Sequence, residues 1–148
     1  MRPSGRATGR RRRGSTMAET ALVLPLFFML IFGLIEVGRM GMIAQLLASA
    51  ANAGCRVAVI GGHSKADATA AIRSVLAAGG VSSGDCTISM YVDGDAASTD
   101  ITTAHLADSD YVTVTIAVPF SKVSWLPTPI YLGSTSLGSS ATLTSERP

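Results

Sequence analysis

Cys55, His63, Cys86 and His105 are the residues of this chain whose types suit a metal, and they follow one another as C-x7-H-x22-C-x18-H. Zinc sites usually bring ligands in close pairs, two to five residues apart, and no such pair occurs. Asp93-Gly94-Asp95 opens like a calcium loop. It lacks a third ligand at the next alternate position and a glutamate at loop spacing, so a turn after a strand is the better reading. Gly61-Gly62-His63-Ser64-Lys65 lacks phosphate-loop spacing, and no G-x-S-x-G elbow occurs among the many serines. No cofactor, no metal and no enzymatic activity are expected.

One acid stands in a less ordinary place. Arg10, Arg11, Arg12 and Arg13 run into Gly14, and five residues later Glu19 stands at the edge of an uncharged apolar run, residues 20–35. An isolated ionised carboxylate is costly in hydrocarbon. Chain-wide composition explains the setting. Of twelve basic residues, six lie in the tail (Arg2, Arg6 and the four above), and no acid precedes Glu19. From Ser15 onward six bases face ten acids, a formal charge of −4, so the pI of 8.8 is a property of the tail. A basic tail can address nucleic acid. This one leads directly into an apolar segment, which points to a membrane and away from nucleic acid.

The sixteen uncharged residues would make about 24 Å of helix against a hydrocarbon core of about 30 Å. Apolar character resumes beyond Glu36 and Arg39, so a span from about 19 to 42 is available. Glu36 and Arg39 are three apart, close enough to pair on a helix and near enough to its end to reach the headgroups. The arginine tail places the N-terminus in the cytoplasm and everything after about residue 42 outside. Ala48-Ser49-Ala50 has the form of a signal-peptidase site, but it lies more than ten residues past the apolar run. Twin-arginine export would suit a folded cargo with a cofactor, for which there is no site. An uncleaved signal anchor is the plain alternative. Two cysteines suit one bridge in an oxidising compartment, Cys55 to Cys86, worth about 3–4 kcal/mol in the chain-entropy picture. Two small buried hydrophobes are the other reading.

Basic tail, Gly14, four residues, Glu19 and a long apolar helix is an order that resembles the type IV pilin-like prepilins. Within that class the wording resembles the TadE-like family, minor pilins or pseudopilins of tight-adherence (Tad/Flp) pilus and secretion systems. The matching pieces are Glu19–Pro25, the Phe-Gly-x-x-Glu-x-Gly-Arg segment Phe32–Arg39, the Ala-Gly-x-Arg turn Ala53–Arg56 and a β-rich C-terminal end. Thr20 stands where major Flp pilins typically carry tyrosine, which favours a minor component. The resemblance implies a prepilin-type peptidase cutting between Gly14 and Ser15, with Glu19 the fifth residue of the mature chain. It implies that the Glu19 carboxylate pairs with an N-terminal amine, its own or a neighbour's, so that neither charge is alone in the apolar layer. The bland alternative is an acid at headgroup level near a helix N-terminus. Other pilin-like subunits and an inner-membrane assembly platform are the implied partners. The implied location is the bacterial cytoplasmic membrane, single-pass, with the head in the periplasm or at the cell surface.

The positioning elements follow from pattern. Pro25 should kink the membrane helix near Ala21–Leu22. Beyond Arg39 the helix should continue to Ile60 and stop at Gly61-Gly62. Gln45, Ser49, Asn52 and Arg56 form one polar stripe, and Ile43, Leu46, Leu47, Ala50, Gly54, Val57 and Ala58 cover the other face. Ser64 and Asp67 form a shortened capping box for a helix over 65–78, closed by Gly79-Gly80. Strands are expected at 86–92, 111–118 and, more weakly, 136–145, in an antiparallel meander. The aromatic, Pro-rich segment 120–133 carries Trp125, Pro127, Pro129 and Tyr131. It is expected to cover one end of the sheet, with a contact surface as the alternative.

The expected fold class is therefore α+β: a long N-terminal transmembrane helix, then a small head with a short helix and a roughly three-stranded antiparallel sheet. The expected division is a basic leader at 1–14, removed on maturation, a transmembrane and extended helix at 15–60, and an extracytoplasmic head at 61–148. Gly33, Gly38 and Gly41 would permit close approach of neighbouring helices. A structural or assembly subunit involved in pilus biogenesis and adhesion is the favoured reading. A permanently anchored binding or adhesin domain and an exported enzyme are the competitors.

Overall fold

A computed structural model describes residues 10–60, 63–93, 110–126 and 129–145, with side chains from Thr16 onward. Helix α1 is Arg10–Val59 and α2 is Lys65–Ala78. Strands are β1 (Thr87–Val92), β2 (Tyr111–Pro119) and β3 (Ser136–Thr144), and a short helix α3 (Phe120–Val123) follows β2. The fold is α+β, a long apolar N-terminal helix followed by a short helix and a three-stranded antiparallel sheet. Contacts divide the chain into two units, the first ending at Ile35 and the second beginning at Glu36. The second half of α1 thus belongs to the head's own packing unit.

In the first unit, α1 passes through Pro25 without ending. Its side chains are apolar on every face and exposed, from Leu22 through Leu34. Such a helix has no polar face to give to water, so it requires lipid or other helices around it. It is long and apolar enough to cross a membrane once.

In the second unit the polar stripe Gln45, Ser49, Asn52 and Arg56 is exposed, and Ile43, Leu47, Ala50, Gly54, Cys55 and Ala58 are buried. α2 lays Ala68, Ile72 and Leu76 into the same core. Both of its ends are chemically closed. At the N-cap, the Asp67 amide donates to the Ser64 hydroxyl, and the Ser64 amide and hydroxyl donate back to the Asp67 carboxylate, each at 2.8 Å. These bonds hold the Asp67 carboxyl below its ordinary value, the Ser64 amide contributing most. At the C-terminus the Gly80 amide donates to Ala77 and the Val81 amide to Leu76, a Schellman arrangement. Gly80 sits at φ 72°, where a Cβ would be strained. Buried Val81 and Leu76 supply the hydrophobic contact that accompanies this motif.

The sheet runs in the order β1-β2-β3, both pairings antiparallel. Val112, Val114, Ile116 and Val118 of β2 alternate inward and are fully buried, with Met90 and Val92 of β1 beside them. On the other face Thr113 pairs with Thr142 (Oγ1 to Oγ1, 2.9 Å), and Thr115 donates to Ser140 at 3.3 Å. Period-two β-branched sequence therefore becomes one apolar and one hydroxyl-bearing face. β1 ends at Asp93, in the left-handed region at φ 50°. Its amide donates to the Tyr111 carbonyl, and its carboxylate accepts from the Tyr111 amide.

The strands and α2 lie where the sequence puts them, to within a residue at their ends. α1 ends at Val59, one residue before the expected limit, and its proposed stop at Gly61-Gly62 lies outside the described residues.

Candidate functional site

Glu36 is the functional-looking side chain that the fold treats most unusually. It is 1% exposed, and its carboxylate accepts three consecutive main-chain amides. Ile130 donates to Oε1, and Tyr131 and Leu132 donate to Oε2 at 3.1 Å each. A carboxylate offers acceptors only, so three converging N–H groups satisfy it without a cation. One turn on, Arg39 donates from Nε to the Val123 carbonyl at 2.9 Å, and its guanidinium lies 4.8 Å from the Trp125 ring centroid.

The expected Glu36–Arg39 pair is thus replaced by two separate attachments. Both charges reach across to the segment after β2, and each finds groups of better geometry there than its helical neighbour offers. The segment 120–133 is correspondingly different from a simple cover for the sheet. Phe120 and Val123 are buried, but Trp125, Ile130 and Tyr131 are 62%, 49% and 55% exposed. Pro127 lies outside the described residues, and Pro129 adjoins the three donating amides.

The other candidate residues are dispersed. Glu19 is exposed on the first unit of α1, where Thr20 donates from Oγ1 to the Thr16 carbonyl at 2.8 Å. The backbone is helical at Gly14 and Ser15. Cys55 and Cys86 are both free thiols. Cys55 is fully buried, its Sγ 3.0 Å from the Ala141 carbonyl, and burial pushes its thiol up. Cys86 is partly buried, with Sγ 3.7 Å from the Ser82 carbonyl, and burial and then the Asp85 charge raise it. Both shifts favour the unreactive thiol form.

His63 is exposed, with Nδ1 3.9 Å from the Asp67 carboxylate. His105, Gly94 and Asp95 lie outside the described residues. Among the described residues no three of His, Cys, Asp and Glu gather as metal ligands would. Gly38 and Gly41 face open space, with nothing within 4 Å of where a Cβ would stand. Gly54 differs: a Cβ there would come within 2.5 Å of Ile72, so glycine lets α2 approach α1.

An apolar helix fit for a single membrane pass, continuing into an α+β head, defines the class of protein. Residues 14–56 match the model of the family of TadE-like proteins, and over that segment the chain is TadE-like, which ties it to Tad pilus systems. The matched segment contains Gly14, Glu19, Glu36 and Arg39 and stops before α2; the partners of Glu36 and Arg39, at 123–132, lie beyond it. No curated protein and no solved structure matches the chain.

Proposed function

We propose that this chain is a minor pilin or pseudopilin, a structural or assembly subunit of a Tad/Flp-type pilus or secretion apparatus. One observation carries the reading. A helix apolar on every face carries the acid Glu19 five residues past Gly14, within the TadE-like segment. The leader 1–14 is removed by a prepilin-type peptidase between Gly14 and Ser15. Residues 15–60 serve as the membrane and extended helix, and 61–148 as the extracytoplasmic head. The new amine at Ser15 and the Glu19 carboxylate pair within or between subunits, which sets the register of helix packing. Gly33, Gly38 and Gly41 let neighbouring helices come close. Open space at Gly38 and Gly41 supports that role. Assembly through an inner-membrane platform, biogenesis of the fibre and adhesion belong to this reading, and it requires no catalytic site.

Glu19→Ala tests it. The variant should reach the membrane at the wild-type level and fail to incorporate into sheared pili or co-purified pilin assemblies. Normal incorporation would leave Glu19 an ordinary headgroup-level acid and favour the uncleaved anchored domain.

A further inference from the structure

The segment held by Glu36 and Arg39 keeps apolar side chains out in solvent although the head has a core to receive them. Trp125, Ile130 and Tyr131 are all exposed, whereas Phe120 and Val123, a few residues away, are buried. Their height along α1 is fixed by two attachments, Glu36 to the amides of 130–132 and Arg39 to Val123 and Trp125. Glu36 is the residue that immediately follows the uncharged run 20–35. With a rise of 1.5 Å per residue, Glu36 and Arg39 lie within about 6 Å of the end of that run along the helix axis. A span ending there puts this turn at the boundary between hydrocarbon and water. Trp and Tyr concentrate at that boundary, where a ring can be half solvated.

We propose that Trp125, Ile130 and Tyr131 form an interfacial membrane contact, seated in the headgroup layer of the bilayer that α1 crosses. Glu36 and Arg39 act as its positioning residues. They tie the three side chains to one turn of α1, so the contact sits at a fixed height in the interface. The occupant is the lipid interface, because the attachment points set the segment at the end of the apolar run and at no other level. A protein partner would impose no such height. The acid at Glu36 is tolerable there because its charge is already met by three amides.

The inference rests on α1 being a membrane span. Trp125 is the single tryptophan of the chain, so its emission reports this segment alone. The full chain is reconstituted into phosphatidylcholine vesicles and tested first for resistance to alkaline carbonate extraction, then for quenching by lipids brominated at different depths and by aqueous iodide. The expected result is a resistant chain with blue-shifted emission. Bromine near the headgroup end of the acyl chain should cause the larger loss, with bromine near the methyl end causing a smaller one. Glu36→Ala should reduce the shallow quenching while the chain stays carbonate-resistant. A resistant chain quenched by iodide and by no bromolipid overturns the interfacial contact and leaves the span standing. A resistant chain shielded from both quenchers, with shielding lost on dilution into excess lipid, makes a second copy the occupant and also overturns it. Extraction by carbonate overturns the span, and the contact with it.

Discussion

Replacing Glu36 by alanine removes one acceptor group and orphans three donors at once. Each hydrogen bond to a charged group contributes about 1.5–3 kcal/mol, but three on one carboxylate do not add. Ile130 and Tyr131 are half exposed, so their amides can turn to water; Leu132 is more enclosed and keeps most of the penalty of an unmet donor, about 1–3 kcal/mol. Loss of the buried charge returns part of its desolvation cost. The net expectation is a destabilisation of about 2–4 kcal/mol for this attachment. Glutamine should cost about half as much, since one oxygen still accepts while the new NH2 faces at least one amide. Hydrogen exchange on the full chain in detergent micelles reads this directly. Amides 130–132 should exchange roughly 30- to 700-fold faster in Glu36→Ala, at about 1.4 kcal/mol per decade. Protection in α2 and β2 should change far less. Unchanged exchange at 130–132 would refute the claim that this carboxylate holds the segment.

Two further outcomes follow from the head. Asp67 has a depressed folded value, so its contribution to stability is complete above its ordinary value of 3.8; it declines below that point and is gone once the pH has passed the folded value. Asp67→Asn should therefore flatten the acid limb of a pH–stability curve, and Ser64→Ala should cost about 1 kcal/mol near neutrality by thermal or denaturant unfolding. Gly38→Ala and Gly54→Ala each gain about 1 kcal/mol of helix propensity, yet only the second collides with Ile72, whose repacking costs about 1–3 kcal/mol. Thermal unfolding should find Gly38→Ala neutral or stabilised and Gly54→Ala less stable than Gly38→Ala; equal midpoints would count against the tight α1–α2 contact.

What could be read from the sequence was what local chemistry decides. Ser64 and Asp67 announce the start of α2 because their bonds span three residues, and Gly79-Gly80 announce its end because the turn needs a left-handed residue. Strict alternation in β2 placed Val112, Val114, Ile116 and Val118 in the core. Glu36 and Arg39 were visible as charges at the end of an apolar run, but their partners were not. Those partners lie 84 to 96 residues away and are mostly main-chain amides and a carbonyl, which carry no side-chain signature. The signal available was the oddity itself: an acid in an apolar helix must be answered by something. Spacing suggested Arg39, and tertiary structure supplied better donors. The aromatics of 120–133 misled in the same way, since Trp and Tyr fit a core and a wet boundary equally well.

Intact mass and N-terminal sequencing of the protein recovered from native membranes test the central claim most directly. A chain beginning at Ser15 is the predicted result; it would make Glu19 the fifth residue of the mature subunit and leave its carboxylate beside a new amine. A chain still carrying residues 1–14 would contradict prepilin-type maturation and return the protein to an uncleaved anchor, and one beginning near Ala51 would reduce the apolar helix to an export signal.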